Sequence, residues 1–216
     1  MESGTLTSAA DFFVRARERL TLDLPPKIFD PHVIPKRGDH DIDPVLKAIA
    51  DVRPIKPAAV LVPVVDREQP MVLLTQRAAH LSDHAGQISF PGGKIDAQDN
   101  TPLDAALREA REEIGLDRGF VSPIGYLDLY MTTRGYRIVP LVARVRADFT
   151  LTLNRAEVDD VFEVPLSFLM QLTNHRRQSR EWNGMQRSYF EIVFGDRRIW
   201  GVTAGILRNL HERIYR

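Results

Sequence analysis

Residues 101–115, TPLDAALREAREEIG, limit the fold more than any other stretch. Threonine, then proline, then an acid two positions on supply an N-cap, a first-turn proline and a favourable charge for a helix start. Strong helix formers run on to Ile114, and Gly115 supplies the stop. At about 100° per residue, Leu103, Leu107, Ala110 and Ile114 fall on one stripe, which has to be buried against a partner. The flanking sequence offers strands for that purpose. AAVLVPVV and PMVLLTQ, separated by polar DREQ, read as a hairpin, and the folded core begins near Ile55. Beyond the helix, FVSPIGYLDLYM and YRIVPLVARV read as strands, DVFEVPLSFLMQL as a strand turning into a helix, and QRSYFEIVF as a further strand. Residues 203–215, with Ile206, Leu207, Leu210 and Ile214 on one side, read as a closing helix. Strands and helices mix without a regular βαβ alternation, so the expected class is α/β (α+β), a mixed β-sheet flanked by helices.

The start of the chain has a different texture. SAAD at 8–11 is a capping-box type start, and Phe12, Phe13, Ala16 and Leu20 suit a short amphipathic helix. The proline- and charge-rich LDLPPKIFDPHVIPKRGDHDIDP reads as an irregular arm with a short helix around 44–50. Residues 1–54 are thus assigned to an N-terminal helical and irregular extension, and 55–216 to the main domain. Between Arg77 and Phe90 the chain reads as a loop, and FPGGK after it as a glycine-rich turn.

Composition narrows the partners. The chain has 29 basic and 29 acidic residues, so no charge excess points to nucleic acid or a membrane surface. With no cysteine there is no disulfide framework and no thiolate ligand, so any metal takes oxygen or imidazole donors. MESGTLTSAADFF lacks a basic start and an apolar signal core, and no run reaches the roughly 18 apolar residues of a membrane span. A cytoplasmic protein is expected.

Within the helix, Glu109, Glu112 and Glu113 stand at spacings that place carboxylates together, each pair repelling by about 0.2–0.5 kcal/mol. The helical wheel puts all three roughly opposite the apolar stripe. One reading is a solvated charged face, with Asp104 and Arg108 as an i, i+4 pair and Arg111 diluting the repulsion. The other is a hard divalent cation, held by carboxylates one turn apart, with a backbone carbonyl of PGGK joining and its amides facing phosphate.

The residues favour the second reading because they match a family. GGKIDAQDNTPLDAALREAREEIGL resembles the Nudix box, a glycine followed by a helix carrying R-E-x-x-E-E-x-G and an aliphatic residue. Arg108, Glu109, Glu112, Glu113, Gly115 and Leu116 match, as does Gly93, while the loop is one residue longer than the commonest form and places Asp99 or Asn100 where a glutamate is usual. The resemblance implies a Nudix-type α/β/α sandwich and hydrolysis of a diphosphate with Mg2+ or Mn2+. It assigns metal binding to Glu109, Glu112, Glu113 and Gly93, and to Arg108 the holding of a glutamate. Glu112 or Glu157 would be the general base.

LLTQRAAHLSDHAGQISFPGG, before the box, resembles the signature of coenzyme A diphosphatases through Leu73, Leu74, Thr75, Arg77, Ala78, Gly86, Phe90, Pro91, Gly92 and Gly93. Where that signature has its second arginine, this chain has Ser82. The implied substrate is coenzyme A, with Arg77 and Gly92 on its phosphates; ADP-ribose, a dinucleotide or a modified nucleotide is the alternative within enzymes, and a non-catalytic Nudix-fold binding module the alternative outside them. The N-terminal arm could pack on its own core or on a second copy in a homodimer. His80 and His84, four apart, lack the glutamate of a zinc-protease pair and read as surface residues. NHRRQSREW reads as a solvated hairpin tip, and Trp182 and Trp200 as packed aromatics.

Overall fold

In the computed structural model, residues 9–24, 28, 30, 33, 35–43, 46, 55–182 and 184–216 are described. In chain order they form α1 (Ala9–Arg19), β1 (Arg37–Gly38), β2 (Lys56–Asp66), β3 (Met71–Arg77), β4 (Ile88–Ser89) and β5 (Gly92–Lys94). The helix α2 (Pro102–Ile114) follows, then β6 (Val121–Tyr126), β7 (Tyr130–Met131), β8 (Tyr136–Arg146), β9 (Val158–Pro165) and the single-turn α3 (Leu166–Leu169). β10 (Arg176–Trp182), β11 (Met185–Phe194), β12 (Arg197–Trp200) and α4 (Val202–Tyr215) complete the chain.

The main sheet is mixed and is built on the parallel pair β2–β8, in register from Lys56 opposite Tyr136 to Asp66 opposite Arg146. Around it the order is β1-β7-β8-β2-β3-β4, with β5 also on β2, β6 on β8 and β9 on β3. Side chains alternate between two cores, as strand geometry requires. Ala59, Leu61 and Val65 of β2 and Val139, Leu141, Ala143 and Val145 of β8 face α2. Ala58, Val62 and Val64 face the other layer, with α1, α4 and the antiparallel sheet β10-β11-β12. This is the expected sandwich. Pro63, in a central strand, falls between the segment of β2 paired with β5 (58–60) and the segment paired with β3 (64–65), where a missing N–H breaks no ladder.

Helix α2 has the boundaries its end residues dictate. Thr101 Oγ1 accepts from the Asp104 N–H at 3.2 Å, and Gly115, at φ 70, donates to the Ala110 and Arg111 carbonyls. Thr101→Ala is expected to lower unfolding free energy by about 1 kcal/mol with activity unchanged, as read by urea denaturation.

The N-terminal segment is tied to the same core. Phe12, Phe13 and Ala16 of α1 and Leu20 just after it are buried in the same core as α4, and the Tyr126 N–H donates to the Thr21 carbonyl at 2.9 Å. Arg137 of β8 is 1% exposed; its guanidinium donates to the Ile28, Asp30 and Val33 carbonyls at 2.9, 2.8 and 2.5 Å. The capping residue Ser8 and, Leu46 apart, the helix expected around 44–50 lie outside the described residues.

Three local expectations are corrected. FPGGK is not only a turn: Gly92 to Lys94 form β5, because Gly92 and Gly93, without side chains, can lie close against Val60 and Ala59 of β2. NHRRQSREW is not a hairpin tip, since Arg176 to Trp182 make the mostly exposed strand β10, paired along its length with β11. The Asp104–Arg108 pair does not form, since Asp104 turns to Thr101 and to Arg118 at 3.3 Å. Among the described residues no helix is long and apolar enough to cross a membrane.

Candidate active site

Two glycines determine how deep the glutamates reach. β5 lies between β2 and α2, and a Cβ on Gly93 would stand 2.4 Å from Glu109 Oε1. A Cβ on Gly92 would meet the Ala59 carbonyl oxygen at 2.4 Å, and the Gly92 N–H instead donates to Glu113 Oε2 at 3.3 Å. The bare backbone of β5 thus leaves a slot into which Glu109 and Glu113, one turn apart, both point. This corrects the helical-wheel placement of all three carboxylates away from the core. Glu113 is 4% exposed, while the Glu112 side chain remains 55% exposed.

Burial in that slot has an electrostatic consequence. It pushes the Glu113 carboxyl up to about 8, against the Gly92 N–H, with repulsion from Glu109 and Glu157 adding and attraction from Arg77 opposing. The Glu109 carboxyl is also raised, by burial first, against its bond to Arg108 and with repulsion from Glu112 and Glu157.

Arg108 organises the rim. Its Nε and Nη2 hold Asp99 in a bidentate pair at 3.0 and 2.9 Å, Nη2 also donates to the Lys94 carbonyl at 3.1 Å, and Nη1 reaches Glu109 at 2.9 Å and Glu112 at 3.0 Å. The hydrogen bonds from Arg108 hold the Asp99 carboxyl below its usual range. Asp99 is therefore committed to the arginine, and the loop acid works by fixing Arg108.

Glu157 comes from the turn at 154–157, which is stitched to the end of α2 by the Asn154 N–H on the Glu113 carbonyl at 2.9 Å. Asn154 Nδ2 donates to Glu157 Oε1 at 3.0 Å, and the Glu157 carbonyl accepts from the Ala78 N–H at 2.9 Å. Arg77, the last residue of β3, sits at a register shift in the β3–β9 pairing, and its Nε is buried without a hydrogen-bond partner. The fold thus brings Arg77, Gly92, Gly93, Arg108, Glu109, Glu113 and Glu157 to one end of the sheet, with Glu112 joined to them through Arg108. His80 and His84 are exposed, and Trp200 packs edge-on against Tyr189 at 5.5 Å.

Among the described residues, no three acidic or imidazole groups already converge as a metal cage. The donors do fit a hard divalent cation: all are oxygen, and Glu109 and Glu113 are desolvated and mutually repelling, a condition that a cation between them relieves. Reading the sequence alone missed Asn154 as the anchor of Glu157. No local spacing marks it.

Comparison with known proteins identifies the family. The NUDIX domain family matches residues 55–183. "Uncharacterized Nudix hydrolase NudL" of Yersinia enterocolitica is 37% identical over 157 residues, covering 73% of this chain and 80% of its own. The protein of the same description from Yersinia pestis is also 37% identical over 157 residues, covering 73% and 79%. Among solved structures, the Nudix domain of Shewanella oneidensis NrtR complexed with ADP ribose aligns with TM-score 0.43 and 23% identity over 55% of this chain and 78% of its own. A C. elegans Ap4A hydrolase binary complex aligns with TM-score 0.42 and 20% identity, over 50% and 80%. The chain belongs to the Nudix family and is a Nudix hydrolase. Enzymes of this family generally use divalent metal ions.

Proposed function

We propose that this Nudix hydrolase cleaves the diphosphate of coenzyme A or its derivatives, giving adenosine 3',5'-bisphosphate and phosphopantetheine, with Mg2+ or Mn2+ at the glutamates. The supporting observation is that the Ala78 N–H, next to Arg77 at the end of the LLTQR strand, donates to the Glu157 carbonyl, and the same turn is bonded through the Asn154 N–H to the Glu113 carbonyl, so the substrate-signature segment and the box helix meet at one site. A cytoplasmic location belongs to the same reading.

The roles follow from position. Glu109 and Glu113 are the buried donors, with the Gly93 backbone beside Glu109, and Arg108 holds Glu109 and Glu112 in place. When bound there, a divalent cation supplies Lewis-acid polarisation of the phosphoryl oxygens and a lowered pKa for water. Glu112, exposed and tethered through Arg108, and Glu157, held by Asn154, are the two candidates to accept a proton. Arg77 and the Gly92 region of β5 receive a substrate phosphate.

A second reading, another nucleoside diphosphate derivative such as ADP-ribose, is favoured by the exposed Ser82, which gives the substrate loop no charge at the signature's second arginine position. Purified protein incubated with coenzyme A and Mg2+ or Mn2+ is expected to release adenosine 3',5'-bisphosphate, read by chromatography. If ADP-ribose were cleaved and coenzyme A were not at any metal concentration, the second reading would replace the first.

A further inference from the structure

The loop between β3 and β4 contains neither lysine nor arginine from Ala78 to Gln87, yet it carries an ion pair that the roles above leave unused. Asp83 Oδ1 accepts from Arg134 Nη1 at 3.0 Å. The same Nη1 lies 3.3 Å from His84 Nε2, and His84 Nδ1 lies 2.7 Å from Gln87 Oε1. Arg134 itself belongs to a different element, the turn between β7 and β8.

That turn is fixed independently of Asp83. The Thr132 N–H donates to the Tyr136 carbonyl, the Gly135 N–H to the Thr132 carbonyl, and the Thr133 N–H to the Asp39 carboxylate at 2.8 Å. β8 then begins with Tyr136 opposite Lys56 at the start of β2, the end of the sheet that also holds β5 and Gly93. Arg134 thus stands on an anchored turn at that end of the sheet, with its side chain 53% exposed.

Arg77 closes the same loop, its N–H donating to the Gln87 carbonyl at 2.9 Å and its carbonyl accepting from the Gly86 N–H at 3.2 Å. Arg77 acts in turn on Glu113 and keeps its buried Nε without a partner. An arginine held by one exposed acid, on the loop that Arg77 closes, is an anion receptor filled by an internal anion. An exposed ion pair of this kind is held weakly, so an incoming phosphate with more charge and more acceptor oxygens displaces it at little cost.

We infer that Arg134 is a second phosphate-binding residue, paired with Arg77, and that Asp83 occupies its guanidinium until the diphosphate of the substrate takes its place. The inference rests on diphosphate hydrolysis at this site and not on coenzyme A as the substrate.

A binding experiment separates a phosphate ligand from a mere strap on the loop. With manganese present, α,β-methylene-ADP is titrated into wild-type, Arg134→Ala, Arg134→Lys and Asp83→Asn proteins by calorimetry. Loss of one charge-assisted contact is expected to raise Kd about tenfold in Arg134→Ala and by less in Arg134→Lys. Asp83→Asn breaks the same ion pair but leaves the arginine, so its Kd is expected to stay level or fall. A wild-type Kd in Arg134→Ala, weakening in Asp83→Asn as large as in Arg134→Ala, or no binding by the wild-type protein would each overturn the inference. The analogue carries no pantetheine, so failure to cleave coenzyme A beside the expected Kd pattern would count against the substrate assignment alone.

Discussion

Glu113→Gln is expected to lower turnover at least about a hundredfold and yet to stabilise the metal-free protein at alkaline pH. The first effect follows from removing a negatively charged donor from the slot beneath β5. The second follows from linkage. Unfolded, the Glu113 carboxyl ionises near its ordinary 4.5; folded and metal-free, it does so at about 8. Over that window the native state binds more protons than the unfolded one, so stability is lost as pH rises from the lower value to the upper. Glutamine has no proton to lose and escapes the penalty, on the order of 4 kcal/mol at pH 8. Melting curves in a chelator, recorded from pH 5 to 8, should show the variant overtaking the wild type as pH increases. Parallel curves, or a variant that still turns over, would show that Glu113 is not a desolvated ligand. Adding manganese should raise the wild-type melting temperature and leave the variant's nearly unchanged.

The adjacent glycines should fail in different ways when replaced by alanine. At Gly92 the new methyl carbon meets the Ala59 carbonyl oxygen at 2.4 Å and the Val60 Cα at 2.7 Å, backbone that has no room to yield. Gly92→Ala is expected to cost about 1–3 kcal/mol, seen as a lower denaturation midpoint. At Gly93 the obstacle is the tip of the Glu109 side chain, which can rotate away. Gly93→Ala should therefore keep most of its stability while losing turnover, because the carboxylate that moves is one proposed to hold the metal. Equal stability losses at the two positions would contradict the slot geometry.

What could be read from the sequence was what is encoded locally. The ends of α2 were legible to the residue because Thr101, Pro102 and Gly115 act on the backbone beside them. The β2–β3 hairpin and the closing helix were legible because their apolar periods match the structures they form. β5 was not, since Gly-Gly-Lys has little intrinsic strand preference and becomes a strand only through its contact with β2. The helical wheel missed the surroundings of Glu109 and Glu113, because the bare backbone of Gly92 and Gly93 lets a neighbouring strand cover positions that the wheel leaves in solvent. Arg134 and Asp83 lie 51 positions apart, and nothing in their local sequence announces that they meet.

The grip of Arg137 on the carbonyls of Ile28, Asp30 and Val33 bears on where the chain can be cut. A version trimmed to the family-matched segment, starting at Ile55, would leave a cation in the sheet stripped of those acceptors. It would also lose Asp39, which fastens the turn beneath Arg134. The excised piece would keep every glutamate of the box and still misreport the enzyme, because part of what holds the sheet and the β7–β8 turn is supplied from upstream of the recognisable domain.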